Sequence, residues 1–143
     1  MQDTVRIALD AMGGDHAPFE VVKGAIEAVN TRNNIKVFLV GKEELIQAEL
    51  SKYTFDPKQI EVVNANEVIE FNESPTMAIR RKKDSSLVVA LKLVKSGQCD
   101  AFVSAGSTGA ILTGGLAIVG RIKGIERAPL APLIPTEKGA SLL

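Results

Sequence analysis

Val5-Arg6-Ile7-Ala8-Leu9-Asp10-Ala11-Met12-Gly13-Gly14-Asp15-His16-Ala17-Pro18 passes from a β-branched apolar run, through a glycine-rich loop, to a proline. A short apolar run bounded by turn residues reads as a strand. The paired glycines admit backbone angles closed to other residues, and Pro18 suits the first turn of a helix. Val21, Val22, Ala25, Ile26 and Val29 then recur at three-to-four spacing, giving that helix one apolar face, and residues 30–34 punctuate its end. The pattern repeats outward. Residues 35–40 are a second strand closed by Gly41, residues 43–50 a second helix carrying Leu45, Ile46 and Leu50, and residues 60–63 a third strand. Strand, helix, strand, helix, strand with connections of this length builds a parallel sheet with helices packed on its faces. The expectation is a single α/β domain over residues 1–143.

Residues 70–76 lack periodicity, end in Ser74-Pro75, and read as a loop leading into Met77, Ala78 and Ile79. The run Arg80-Arg81-Lys82-Lys83 follows. Ser85 and Ser86, after Asp84, can cap a helix with Leu87, Val88, Leu91 and Val94 on one stripe and Gly97 as its stop. Asp100-Ala101-Phe102-Val103 is a fourth strand. It feeds the turn Ser104-Ala105-Gly106-Ser107-Thr108-Gly109-Ala110 and a helix apolar on nearly every side, which belongs in a core or an interface. Pro129, Pro132 and Pro135 exclude a helix in the next segment and disfavour a central strand. The apolar ending Ala140-Ser141-Leu142-Leu143 reads as a strand cut short, so a fragment of a longer protein is expected.

Composition narrows the function classes. The 143 residues, 45% hydrophobic and 24% charged, suit one globular core. Basic and acidic residues balance at 17 each, which gives no electrostatic reason to expect nucleic-acid binding. Cys99 is the only cysteine, so no intrachain disulfide forms and a reducing cytoplasm is the natural setting. It has no histidine near it in sequence to make it a nucleophile. His16 is the only histidine, which excludes a Cys/His metal cluster, and neither a metal nor a cofactor is expected. Met1-Gln2-Asp3 lacks the basic-then-apolar layout of a signal peptide. The longest apolar stretch, residues 109–120, is well short of the ~20 residues that span a bilayer.

Three segments could carry chemistry. In the 104–110 turn, free backbone N–H groups and the helix dipole face the space beyond the sheet. Gly106 and Gly109 let a ligand approach the main chain, while Ser107 and Thr108 offer hydroxyl donors next to the N–H of Ala110. The alternative is a tight connection that caps itself with Ser107. Nucleotide motifs fail here. Gly-x-x-Gly is short of the dinucleotide fingerprint, and Gly41-Lys42 is followed by Glu43 where a P-loop needs Ser or Thr. The 10–18 loop leaves the first strand, and parallel sheets place ligands beyond the carboxyl ends of their strands, so it could share a crevice with the turn. Asp10, Asp15 and His16 are then candidate catalytic groups, with Gly13 and Gly14 allowing close approach. Alternatively the two carboxylates only brace the loop and His16 is a surface residue. The basic run usually reads as a solvated helix end, but Arg81, Lys82 or Lys83, next to Ser85, could fold back toward a phosphate while the others meet an acidic partner surface.

These strings, together with Val119-Gly120-Arg121-Ile122-Lys123-Gly124-Ile125, in this order and spacing, resemble the bacterial phosphate acyltransferase family of phospholipid synthesis (PlsX). The resemblance covers essentially the whole chain, as the N-terminal portion of a family whose members are about twice as long. It implies a three-layer αβα fold with a mostly parallel sheet, similar to that of isocitrate and isopropylmalate dehydrogenases and of phosphate acetyltransferases. It also implies transfer of a fatty acyl group from acyl carrier protein to inorganic phosphate. The acyl phosphate would then be consumed by a membrane glycerol-3-phosphate acyltransferase. Cytoplasmic homodimers that associate peripherally with the inner membrane face are implied as well. Position 107 is Ser where many members have Asn, and both supply a hydrogen bond. Alternatives are a short-chain phosphate acetyltransferase using coenzyme A thioesters and an inert binding or structural fragment.

Overall fold

A computed structural model of the chain describes residues 4–129, 131–137 and 139–142. Strands β1 (Val5–Asp10), β2 (Ile35–Gly41), β3 (Ile60–Asn64) and β4 (Ala101–Val103) form one parallel sheet in the order β3-β2-β1-β4. The chain steps outward from β1 to β2 to β3, then returns to place β4 on the other side of β1. This reversal is a topological switch point, and it lies between β1 and β4.

Burial explains the layering. Along β2, Val37 and Leu39 join one core with helices α1 (Phe19–Thr31) and α2 (Glu43–Leu50), through Val22, Ala25, Ile26, Val29, Ile46 and Leu50. Phe38 and Val40 point to the opposite face, where Ala8, Ala90 and Cys99 complete a second core beneath helix α4 (Ser86–Lys95). Alternating side chains therefore serve two covered faces, which is why β2 reads as a continuous apolar run. The three-layer α/β architecture expected from the sequence is the one observed.

Helix α4 is well terminated. The Ser85 hydroxyl accepts from the Val88 N–H at 3.4 Å. At the other end Gly97 has φ +76°, its N–H bonds Val94 O and the Gln98 N–H bonds Leu93 O, a left-handed stop that pairs carbonyls of the last turn.

Three segments differ from expectation or extend it. Residues read as a loop leading into an apolar triplet form helix α3 (Pro75–Arg81), with Pro75 in the first turn and Ala78 and Ile79 buried. Helix α5 (Thr108–Gly114) continues as a π-helical turn, Gly115–Val119, and buries only Ala110 and Gly114. There a Cβ on Gly114 would lie 2.6 Å from Leu91 Cδ1, so α5 approaches α4 through a glycine. Leu116 is 41% exposed, so the apolar run is covered on the α3 and α4 side and open on the other. Beyond Pro132, β5 (Leu133–Thr136), which contains Pro135, and β6 (Gly139–Leu142) form an antiparallel hairpin apart from the main sheet. Residues 1–3 and Leu143, part of the terminal readings above, lie outside the described residues.

Candidate active site at the switch point

The parallel register aligns Leu9 with Val103, so the next residues, Asp10 and Ser104, emerge side by side at the carboxyl ends of β1 and β4. The loops that follow them, 10–18 and 104–110, pack together. Asp10 is 3% exposed; its Oδ1 accepts from the Met12 N–H at 3.2 Å and its Oδ2 from the Ser104 hydroxyl at 2.8 Å. The Ser104 Oγ in turn accepts from the Gly106 N–H at 3.0 Å. Gly13 sits over this cluster. A Cβ there would lie 2.7 Å from both Asp10 Oδ2 and Ser104 Oγ and 3.0 Å from Gly106 N. Gly14, with φ +107°, turns the loop against Ala105, which its own Cβ would meet at 3.2 Å. The two loops expected to share a crevice are thus in contact, and their glycines are required by that approach.

The 104–110 turn ends as the N-terminus of α5. Ser107 is its N-cap, and its hydroxyl accepts from the Ala110 N–H at 3.4 Å. The self-capping reading is therefore realised at Ser107. The cap leaves the N–H groups of Thr108 and Gly109, in the first helical turn, without hydrogen bonds among the described residues. Gly109 also packs on α3, where an added Cβ would lie 2.9 Å from Pro75 Cγ.

Asp15 and His16 are exposed on the same loop. No hydrogen bond or ion pair joins either side chain to Asp10 among the described residues; Asp10 turns to Ser104 and Met12 instead. Of the basic run, Lys82 Nζ donates to Val68 O and to Glu73 Oε2, both at 2.6 Å, and Lys83 Nζ donates to Ile79 O. The bond from Lys82 holds the Glu73 carboxyl below its ordinary range. Arg80 and Arg81 are exposed, and Arg81 ends the helix whose first residue, Pro75, touches Gly109. At 1.5 Å per residue that separates them by about 9 Å along the axis. Ser85 is fully buried as the α4 cap, and its hydroxyl donates to Lys82 O.

Beside the turn lies an apolar cavity of about 470 Å³, lined by Leu9, Val21, Ala25 and Val103 and bounded by Ser104 and Ala105. Cys99 is far less accessible, at 2% exposure, and burial pushes its thiol up. At the opposite, N-terminal edge of the sheet Arg6 makes a two-point ion pair with Asp100 and holds its carboxyl at about 2. Among the described residues, no group of three or more His, Cys, Asp or Glu could hold a metal, and no helix is long and apolar enough to cross a membrane.

Ser104 is the site residue that sequence reading passed over. Its partner is ninety-four positions away, and only the pairing of β1 with β4 brings them together.

A family model described as fatty acid synthesis protein matches residues 5–143. The chain is 57% identical over 137 residues to a phosphate acyltransferase of Clostridium kluyveri, covering 96% of this chain and 41% of that protein. It is 52% identical over 139 residues to a phosphate acyltransferase of Syntrophomonas wolfei, covering 97% and 43%. The chain thus spans about two fifths of the length of the curated relatives it matches. Among solved structures, a phosphotransacetylase from Streptococcus pyogenes superposes with TM-score 0.66 at 20% identity, covering 94% of this chain and 44% of that one. At that identity the likeness shows the fold.

Proposed function

Because this chain belongs to the fatty acid synthesis protein family, we propose that the protein containing it transfers a fatty acyl group from acyl carrier protein to inorganic phosphate. The observation that carries this reading is the meeting of the two glycine loops at the switch point, with the N–H groups of Thr108 and Gly109 unpaired among the described residues. Backbone donors at a helix N-terminus suit an oxyanion.

The chemistry needs no protein nucleophile. A phosphate oxygen attacks the thioester carbonyl carbon, the C–O bond forms, the C–S bond breaks, and the thiolate leaves with the electron pair. The site has to align the two reactants and stabilise the oxyanion. In this reading the open N–H groups of Thr108 and Gly109 bind the phosphate, while Gly106, Ser107 and the buried Ala110, whose N–H is held by the cap, shape the turn around it, and Arg81 supplies charge from α3. His16, exposed on the facing loop, protonates the departing thiolate. Asp15 beside it orients the imidazole.

The apolar cavity beside Ser104 and Ala105 favours a donor with a long apolar tail. The phosphotransacetylase likeness favours a second reading, a short acyl group carried by coenzyme A. On the first reading the protein works with acyl carrier protein and a membrane glycerol-3-phosphate acyltransferase, as a homodimer at the inner membrane face. The two separate when the full-length protein is given phosphate with palmitoyl-carrier protein or with acetyl-coenzyme A, and acyl phosphate is trapped with hydroxylamine and counted as the hydroxamate in excess of a phosphate-free control, because hydroxylamine also cleaves thioesters. Hydroxamate from the carrier-protein thioester is expected. Turnover of acetyl-coenzyme A alone selects the second reading, and hydroxamate from neither refutes both.

A further inference from the structure

We infer that Asp10 and Ser104 form a positioning pair that sets the geometry of the anion turn. Asp10 is an expensive residue to bury, and it takes part in none of the ion pairs among the described residues. Both of its oxygens are nevertheless occupied, by the Met12 N–H and by the Ser104 hydroxyl. An ionised carboxylate can only accept. The single proton of Ser104 is therefore committed to Asp10, and the lone pairs of its oxygen face the Gly106 N–H at 3.0 Å. The Gly106 N–H can only donate, so the direction that depends on the charge on Asp10 is that of the Ser104 bond. A neutral amide in place of Asp10 could donate to Ser104, reverse that bond and release the Ser104 proton to another acceptor.

The bond between Ser104 and Asp10 is also the one side-chain hydrogen bond that joins the two loops among the described residues. It holds the peptide of Gly106 just before the Ser107 cap, and the cap decides which N–H groups are left open. The space above the pair is kept clear by Gly13, whose missing Cβ would strike both oxygens. Nothing in the packing of the sheet requires this arrangement, because β1 and β4 are already paired through Ile7, Ala8 and Leu9. Asp10 thus acts on the ligand through Ser104 and the turn, without touching the reacting atoms.

The inference rests on the phosphate reading of this crevice, and its test has two arms. In the full-length protein, Ser104→Ala and Asp10→Asn should each raise the phosphate KM about tenfold, the scale of a lost hydrogen bond to a charged group, with kcat changed less than about threefold. The double variant should be no weaker than the worse single one, since both remove the same link. Ser104→Thr, which keeps the hydroxyl, should stay within about threefold of the parent. In the second arm, amide hydrogen exchange at Gly106 should quicken in Ser104→Ala while β2 stays protected, whether or not the protein turns over. A phosphate KM within about twofold of the parent in Ser104→Ala, additive effects in the double variant, or unchanged Gly106 exchange would each overturn the pair. If Asp10→Asn does not fold, Ser104→Ala alone decides. If the parent shows no phosphate-dependent turnover, the functional reading fails, and the exchange arm still judges the pair.

Discussion

Adding one methyl group at Gly13 and one at Gly24 should move stability in opposite directions. At Gly13 the new Cβ would lie 2.7 Å from Asp10 Oδ2 and from Ser104 Oγ. Carbon–oxygen contacts normally stop at about 3.3 Å, so the loop must retreat by about 0.6 Å. Sliding toward Gly106 gives no relief, because its N–H is 3.0 Å away on the same side. It would carry the 2.8 Å bond between Ser104 and Asp10 beyond the range of a hydroxyl–carboxylate hydrogen bond. Overpacking of this size costs about 1–3 kcal/mol. Gly24 lies inside α1 with nothing within 4 Å of its hypothetical Cβ, so alanine there adds no clash and restricts the unfolded chain. The gain should be about 0.5–1 kcal/mol. With a urea slope of about 1–3 kcal/mol per molar, Gly13→Ala should lower the midpoint by about 1 M and Gly24→Ala should raise it by a few tenths. Urea unfolding followed by circular dichroism reads both. Equal or greater stability of Gly13→Ala, or shifts of the same sign, would refute the close approach of the two loops.

Four further outcomes can be measured. Arg6 depresses the Asp100 carboxyl from 3.8 to about 2, so this pair contributes stability above about pH 4 and loses it as pH falls through about 2. Asp100→Asn should flatten that part of the acid unfolding curve, and added salt should weaken the difference because both side chains are over 40% exposed. Leu39→Ala removes a fully buried side chain from a central strand and should cost about 2–5 kcal/mol in urea unfolding. Cys99 should react with iodoacetamide far more slowly in the native protein than in urea, and matching rates would contradict its burial. His16→Ala should reduce acyl phosphate formation in the full-length protein by well over twofold, and a smaller loss removes His16 from the chemistry.

The legible parts of the fold were those whose signal is local. β1, β2 and β3 are apolar runs closed by turn residues, and α1, α2 and α4 carry their apolar stripes at helical spacing. Helix α3 escaped notice because seven residues give barely two turns of periodicity, although Ser74-Pro75 before Ala78 and Ile79 is a start signal of the right kind. The β5–β6 hairpin was half legible. Its prolines exclude a helix, but nothing local shows which strand would pair with which.

Order along the chain was enough to set the fold class, the parallel sheet and the glycine loops that leave its carboxyl ends, because strand, turn and helix signals each lie within a few residues. Apolarity alone could not say which side of α5 is covered, since an apolar helix carries no mark of its neighbours. Only the tertiary structure placed β4 beside β1 and so created the switch point. That placement made Asp10, read from the sequence as a candidate catalytic group, the partner of Ser104, because side chains ninety-four positions apart meet only through the register of two strands.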